Sequence, residues 1–258
     1  DVPDPTLDII EPHTKILTRD NGLPIVVYMH KKQQANGNII YDIKALFCSN
    51  QACSQGNTVV LNNDPTSKGL RFGAAIDAHG FLMVAYGQQA GSVVKLIRCN
   101  DLMCQNISTT TLVTGVWSEI VDVEIGRDNL PIIAYENWLG GFSEVNVLHC
   151  GNDLCSSGNS ITLLSNKGIA GGTIDIATAS NGFPLVLYSK GDFSASTYDL
   201  TLIRCQNVQC TNSNEFILKP SLPISVLFAS SLIIGNDDLP FIVYRKADQT
   251  LHSYSELW

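Results

Sequence analysis

The chain has 258 residues, of which 45% are hydrophobic and 16% charged, enough apolar content for a packed core and too little charge for disorder. Its net charge of −8 excludes a broad basic surface and with it binding to nucleic acid or an anionic membrane. No apolar run approaches the roughly 18–20 residues that cross a bilayer as a helix, so membrane insertion is not expected.

From the N-terminus onward one unit recurs. An apolar run ending in Tyr appears at residues 23–28, 81–86, 130–135, 183–188 and 239–244, closing on Tyr28, Tyr86, Tyr135, Tyr188 and Tyr244. A Cys-x4-Cys pair follows each of the first four runs, as Cys48/Cys53, Cys99/Cys104, Cys150/Cys155 and Cys205/Cys210, with first members 51, 51 and 55 residues apart. A repeat running from end to end predicts one closed array over 1–258, with units at about 13–62, 70–114, 118–165, 172–219 and 226–258.

Each unit reads as four strands, A to D. Turn signals (Asn21-Gly22, His79-Gly80, Asp128-Asn129, Asn181-Gly182 and Asp237-Asp238) stand before the Tyr-ending runs, and Asn-Gly favours a type I′ hairpin. Upstream of each turn, apolar residues alternate on one parity, as in Val123/Ile125 and Ile176/Thr178, and mark strand A. Strand B is the Tyr-ending run, strand C ends at the first cysteine, and strand D follows the second. All eight cysteines fall in the motif, which suits disulfides formed in an oxidising compartment. A bond within each pair can be made four times alike; recurrent zinc-ligand spacing is absent. Each bridge clamps a C–D hairpin, contributing about 2 kcal/mol by loop entropy.

Four strands in about 50 residues match a blade of a β-propeller, so the expected fold is all-β, a five-bladed propeller of antiparallel sheets. The fifth unit ends after strand C, with Ser253 and Trp258 at the cysteine positions. Residues 6–10 carry the spacing of a strand D and are expected to complete the last blade. The chain starts without a basic and apolar leader, as a mature or trimmed product would.

The pattern resembles tandem propeller repeats of extracellular proteins with an Asp-Gly-Leu-Pro-x-Val-x-Tyr and Cys-x4-Cys signature, here Asn21-Gly22-Leu23-Pro24 through Tyr28, then Cys48/Cys53. Its blade count is similar to that of tachylectin-like five-bladed lectins. The resemblance implies a secreted or cell-surface location and says more about architecture than activity.

Recognition is expected on the B–C and D–A connections, which vary between units and carry Trp138, Phe142 and Phe193 as candidate binding residues. For catalysis the candidates are Asp122, Glu124 and Asp175, on strand A with parity opposite to the apolar positions. The trio is similar to the three carboxylates of five-bladed glycosidases that attack furanose sugars, although two of them share one strand here. Lys15, Gly73 and Ser231 fill the equivalent positions in other units. A polar channel would hold water or a cation, Ca²⁺ if any, because the ligands are hard oxygens; no other cofactor is expected. Asn106-Ile107-Ser108 is an N-glycosylation triplet. The leading expectation is a non-catalytic recognition or assembly module whose partner is an extracellular protein, a glycan or another copy of itself. The alternatives are a carbohydrate-binding lectin or adhesin and a furanosidase-type glycoside hydrolase.

Overall fold

The computed structural model describes residues 8–33, 39–64, 71–88, 91–140, 142–168, 172–191, 197–223, 230–247 and 253–257. Among them are nineteen strands, which follow the repeat. The first sheet is β1 (Asp8–Thr18), β2 (Pro24–Gln33), β3 (Ile39–Cys48) and β4 (Gly56–Asp64), hydrogen-bonded in that order. The second is β5 (Phe72–Ile76), β6 (Leu82–Gln88), β7 (Val93–Cys99) and β8 (Ile107–Thr114). Two further meanders, β9 (Val121–Ile125) to β12 (Ser160–Gly168) and β13 (Ile174–Thr178) to β16 (Ser213–Pro223), join through the single pair Gly168 and Lys190. In them β10 is Pro131–Trp138, β11 is Ser143–His149, β14 is Pro184–Lys190 and β15 is Thr197–Cys205. The last sheet has three strands among the described residues, β17 (Ser230–Ile234), β18 (Pro240–Ala247) and β19 (Ser253–Leu257).

The core lies between sheets. Ile25, Val27 and Phe47 of the first sheet pack on Phe72, Val84 and Tyr86 of the second. Met83 and Leu96 on the other side of the second meet Val123 and Tyr135, and the same scheme continues through Ile132 with Tyr188 and Leu187 with Tyr244. Each inner sheet therefore buries both faces, which explains Tyr-ending runs that are apolar throughout rather than alternating. The outer strands alternate instead, as in β8, where one face is exposed.

Two local devices recur. In every A–B hairpin the residue at Gly22, Gly80, Asn129, Gly182 or Asp238 has positive φ, between 60° and 80°, and donates its N–H to the carbonyl three residues earlier. Positive φ falls on this one residue of each turn. That is a type I turn followed by a left-handed bulge residue, and it replaces the expected type I′ turn, which needs two consecutive positive φ values. The residue before the bulge position anchors the turn, since the side chains of Asn21, Asp128, Asn181 and Asp237 accept the N–H two residues on.

The second device is a β-bulge on strand D. The C–D register shifts in each of the first four units between equivalent residues, Ile43/Lys44, Val94/Lys95, Val145/Asn146 and Leu200/Thr201, and the third and fourth units have a second shift just before it. The residue left over opposite each equivalent shift is a leucine, Leu61, Leu112, Leu164 or Leu218, and all four pack on the inter-sheet cores. The bulge turns one side chain of an otherwise exposed strand inward and bends the strand with it.

The four expected disulfides are present: Cys48 with Cys53, Cys99 with Cys104, Cys150 with Cys155 and Cys205 with Cys210, their Cα atoms 4.7–4.9 Å apart. They lie in the C–D hairpin near its turn, as expected. Cys53, Cys104, Cys155 and Cys210 sit inside the connecting turn, and strand D begins at Gly56, Ile107, Ser160 and Ser213. Each bridge therefore ties the end of strand C to the turn. The reason is in the backbone: Cys53, Cys104, Cys155 and Cys210 have φ between 50° and 55°, a left-handed conformation that cannot continue a strand. Each of them donates its N–H to the carbonyl of Asn50, Asp101, Asn152 or Asn207, respectively. The side chain of that residue in turn accepts the N–H following the second cysteine. The working motif is Cys-x-Asn/Asp-x-x-Cys.

The N-terminal expectation is corrected as well. Thr6 lies outside the described residues, but Asp8, Ile9 and Ile10 pair with Lys32, Lys31 and His30 of β2, as an extension of β1 past an irregularity before Thr14. These residues thus belong to the first sheet, and among the described residues β19 has β18 as its ladder partner. No helix of the described residues is long and apolar enough to cross a membrane.

Candidate functional site

The A strands succeed one another at the centre, with β5 against β9, β9 against β13 and β13 against β17. Their equivalent positions are Lys15, Gly73, Asp122, Asp175 and Ser231, each opposite the equivalent residue of its B strand. An innermost strand has one edge without a ladder partner, so its N–H groups need acceptors. Asp122 Oδ2 accepts the Ile176 N–H at 3.1 Å, and Asp175 Oδ2 accepts the Leu232 N–H at 2.8 Å. Each carboxylate thus caps the inner edge of the next sheet.

Lys15 completes the group. Its Nζ lies 3.1 Å from Asp122 Oδ1 and 3.4 Å from Asp175 Oδ1, bringing the first unit to the third and fourth. Gly73 makes room: a Cβ there would stand 2.3 Å from Val123 N and 2.4 Å from Asp122 Cα.

Burial pushes the Asp122 carboxyl well up, and the neighbouring Asp175 adds to this against the pull of Lys15. For Asp175 burial acts in the same direction, but the Asp122 hydrogen bond, Lys15 and the Leu232 N–H outweigh it and hold its pKa down. The two carboxyls are thus shifted in opposite directions, Asp122 up and Asp175 down. Burial opposes the Lys15 ammonium too, yet the two carboxylates raise its pKa above the ordinary value. Glu124, one turn of the pleat further along β9, is pushed up to about 7 by burial and retains part of its surface exposed. His13 is pulled down to about 4 by burial, partly offset by its 2.8 Å contact with Phe72 O.

The structure brings Asp122 and Asp175 together and leaves Glu124 beside them without a direct contact. The ammonium of Lys15 stands against both aspartates. Among the described residues no group of three or more His, Cys, Asp or Glu is arranged to hold a metal ion.

The aromatic candidates lie at the B–C and D–A connections. Trp138 is 37% exposed and Phe142 42%; Phe193 lies outside the described residues. Trp117, from the connection between β8 and β9, meets Trp138 edge to face, with ring centroids 5.2 Å apart and planes at 80°. The Trp138 N–H donates to Trp117 O at 2.9 Å, fixing the two loops together. Two tryptophans at unrelated repeat positions thus form one exposed platform. Only the tertiary fold joins them, so sequence spacing gave no sign of it.

Two of the basic residues preceding the first cysteines, Arg98 and His149, are structural. Arg98 donates to Asp77 Oδ2 at 2.8 and 3.1 Å, and His149 Nε2 lies 2.7 Å from Asp128 Oδ2, so each ties strand C to its own A–B turn. Both are buried rather than solvated.

The sheet stacking and central strands define a propeller-type fold. No protein-family model and no curated protein matches the sequence. Solved β-propeller glycoside hydrolases match the structure across nearly all of the chain. The NanB sialidase of Streptococcus pneumoniae has a TM-score of 0.65 at 8% identity, covering 94% of this chain and 54% of that one. An α-L-arabinanase of Penicillium chrysogenum has a TM-score of 0.62 at 8% identity, covering 95% and 77%. An α-L-arabinofuranosidase from Lactobacillus brevis has a TM-score of 0.55 at 13% identity, covering 98% and 92%. At these identities the likeness is one of fold.

Proposed function

We propose that this chain is a secreted, five-bladed propeller that acts on carbohydrate, and that glycoside hydrolysis is its activity. The observation that carries the reading is the pair of central carboxylates gathered on Lys15, 3.1 and 3.4 Å from its Nζ, with the pKa of Asp122 pushed up and that of Asp175 held down, within a fold shared with sialidases and arabinan-directed enzymes. Glycoside hydrolysis needs one carboxyl to protonate the leaving oxygen and one carboxylate to serve as base or nucleophile. Asp122 would supply the proton and Asp175 the charge, while Glu124, titrating near neutrality, would set the balance between them. Lys15 is the most exposed of the bridged group, with 29% of its side chain accessible, and substrate would enter by displacing its ammonium. The main expectation from sequence, a non-catalytic recognition or assembly module, is less well supported, because the solved structures that share this fold include glycoside hydrolases.

A lectin reading is favoured by a different observation, the exposed Trp117–Trp138 platform with Phe142 beside it. Aromatic faces of this kind stack on sugar rings without any chemistry. Incubation with a panel of aryl glycosides and arabinan oligosaccharides separates the two. Release of product by the native chain, with loss of about 100-fold or more in Asp122→Asn and Asp175→Asn, is expected for hydrolysis. Binding that needs Trp138 but yields no product would establish the lectin reading in its place.

Closure of the five sheets into a ring belongs to the same proposal. Lys15 of the first unit reaches Asp175 of the fourth, so the row of sheets curls back on itself. The two end faces also leave apolar surface uncovered: Ile16 is 71% exposed although its equivalents Ala74, Val123, Ile176 and Leu232 are buried, and Ile233 at the other end is 56% exposed.

A further inference from the structure

A cleft of about 300 Å³ opens on the turn side of the fourth unit, between Phe183, Phe216, Arg204, Asn181, Asn214 and Gln206. Its chemistry is clearest by comparison with the same place in the other units. In the second, Arg98 is neutralised by Asp77 of its own turn; in the third, His149 is matched by Asp128. In the first the elements are exchanged, with Arg19 of the turn lying over the Phe47 ring, 5.8 Å from its centroid, and donating to Cys48 O at 2.9 Å. The fourth unit keeps the cation and lacks the acid. Ala179 stands at the place of Asp77 and Asn181 at that of Asp128. The Arg204 guanidinium is exposed and makes no hydrogen bond or ion pair with the described residues. Asp238 of the next hairpin lies within electrostatic reach, but its two oxygens are taken by the N–H and hydroxyl of Ser180 at 2.6 and 2.8 Å.

We propose that this cleft binds a carboxylate-bearing sugar residue, its carboxylate taking on Arg204 the position that Asp77 and Asp128 take in the neighbouring units. The planar guanidinium offers a two-pronged donor for a carboxylate. Phe216, 48% exposed, and the half-buried Phe183 give the apolar walls against which a pyranose ring packs, and the side-chain amides of Asn181 and Asn214 supply donors for its hydroxyls. The volume admits one ring. That the ligand is a carboxylate follows from Arg204; that it is a sugar rests on the carbohydrate reading above. The cleft lies at the turn end of the strands, away from the tryptophan platform, so it adds a subsite for acidic polysaccharide rather than restating the first.

The test is titration of the full chain with sodium glucuronate, with glucose as the neutral control and an N-acetylated, amidated glutamate as the acidic peptide control, followed by calorimetry or amide chemical shifts. Glucuronate is expected to bind at about 10 mM or below and glucose not to bind under the same conditions. Arg204→Gln is expected to weaken glucuronate about tenfold or more. Asn181→Asp, nearly isosteric, rebuilds the internal acid of the third unit and should fill the cleft from within, with a similar loss. Phe216→Ala, at an exposed position, should weaken binding severalfold with no change in melting temperature. Glucuronate binding that is absent, or unaltered in both Arg204→Gln and Asn181→Asp, overturns the proposal, as does binding of the glutamate derivative alone. Glucuronate binding without hydrolysis of any glycoside would remove the enzymatic reading and leave this one standing.

Discussion

Gly73 shows how tightly single positions at the centre are set. Gly73→Ala would drive a methyl group into the backbone of β9, and neither Val123 N nor Asp122 Cα can swing aside. We expect a loss of about 2–4 kcal/mol in urea unfolding, read as a lower midpoint at unchanged slope; a variant as stable as the native chain would show that β5 and β9 do not touch. The titrating residues predict a pH signature. Glu124 has a folded pKa of about 7 against 4.5 unfolded, so between these values the native state holds a proton that the unfolded chain has lost. Its contribution to stability is whole below pH 4.5 and disappears as the pH climbs through 7. His13, at about 4 folded against 6.5 unfolded, has the opposite sign, and stability grows as the pH rises from 4 to 6.5. Glu124→Gln deletes the falling component, so its melting temperature should climb more steeply with pH than that of the native chain between 4.5 and 6.5. Parallel curves would mean that Glu124 titrates as it does in water. The parity of Asp122, Glu124 and Asp175 made this cluster legible from sequence. The bridging of the two aspartates was not, because it depends on Lys15 arriving from another sheet.

At the level of strands and turns, most of the architecture could be read from the spacing of Tyr-ending runs and cysteines, since a buried strand between two sheets must be apolar on both faces. The hairpin type could not. Asn-Gly is compatible with both turn families, and the deciding feature is that the Gly-free units place Asn129 and Asp238 alone at positive φ. Asn129→Gly should therefore be neutral or slightly stabilising in thermal unfolding, and Asn129→Val should cost about 1–3 kcal/mol. Equal stability of the two would be inconsistent with a left-handed residue there. The cysteine pairing was legible from its repetition, whereas the left-handed backbone at Cys53, Cys104, Cys155 and Cys210 was not, because cysteine carries no preference for that conformation. The bulge leucines were legible in principle, since Leu61, Leu112 and Leu218 each follow their second cysteine by eight residues, and Leu164 by nine. An alternating outer strand hides them, because a two-residue period assigns a bulged position to the wrong face.

For the whole molecule, the two end sheets decide whether the row is a ring. If the faces carrying Ile16 and Ile233 meet in solution, Ile16→Asp buries a charge and should destabilise the chain by about 2–4 kcal/mol. A cost below about 0.5 kcal/mol, normal for a surface position, would leave the row open. Sequence pointed to closure through the first strand, and the actual pairing of Asp8–Ile10 with β2 could not be foreseen, because an edge strand of that composition suits either sheet. Lys15 has a consequence for the order in which the protein matures. Its two counterions lie 107 and 160 residues downstream, so during synthesis the amine waits in water until Asp122 and Asp175 have left the ribosome. Enclosing it sooner would strand a positive charge in a dry interior, and this penalty bars the early sheets from sealing around an incomplete centre.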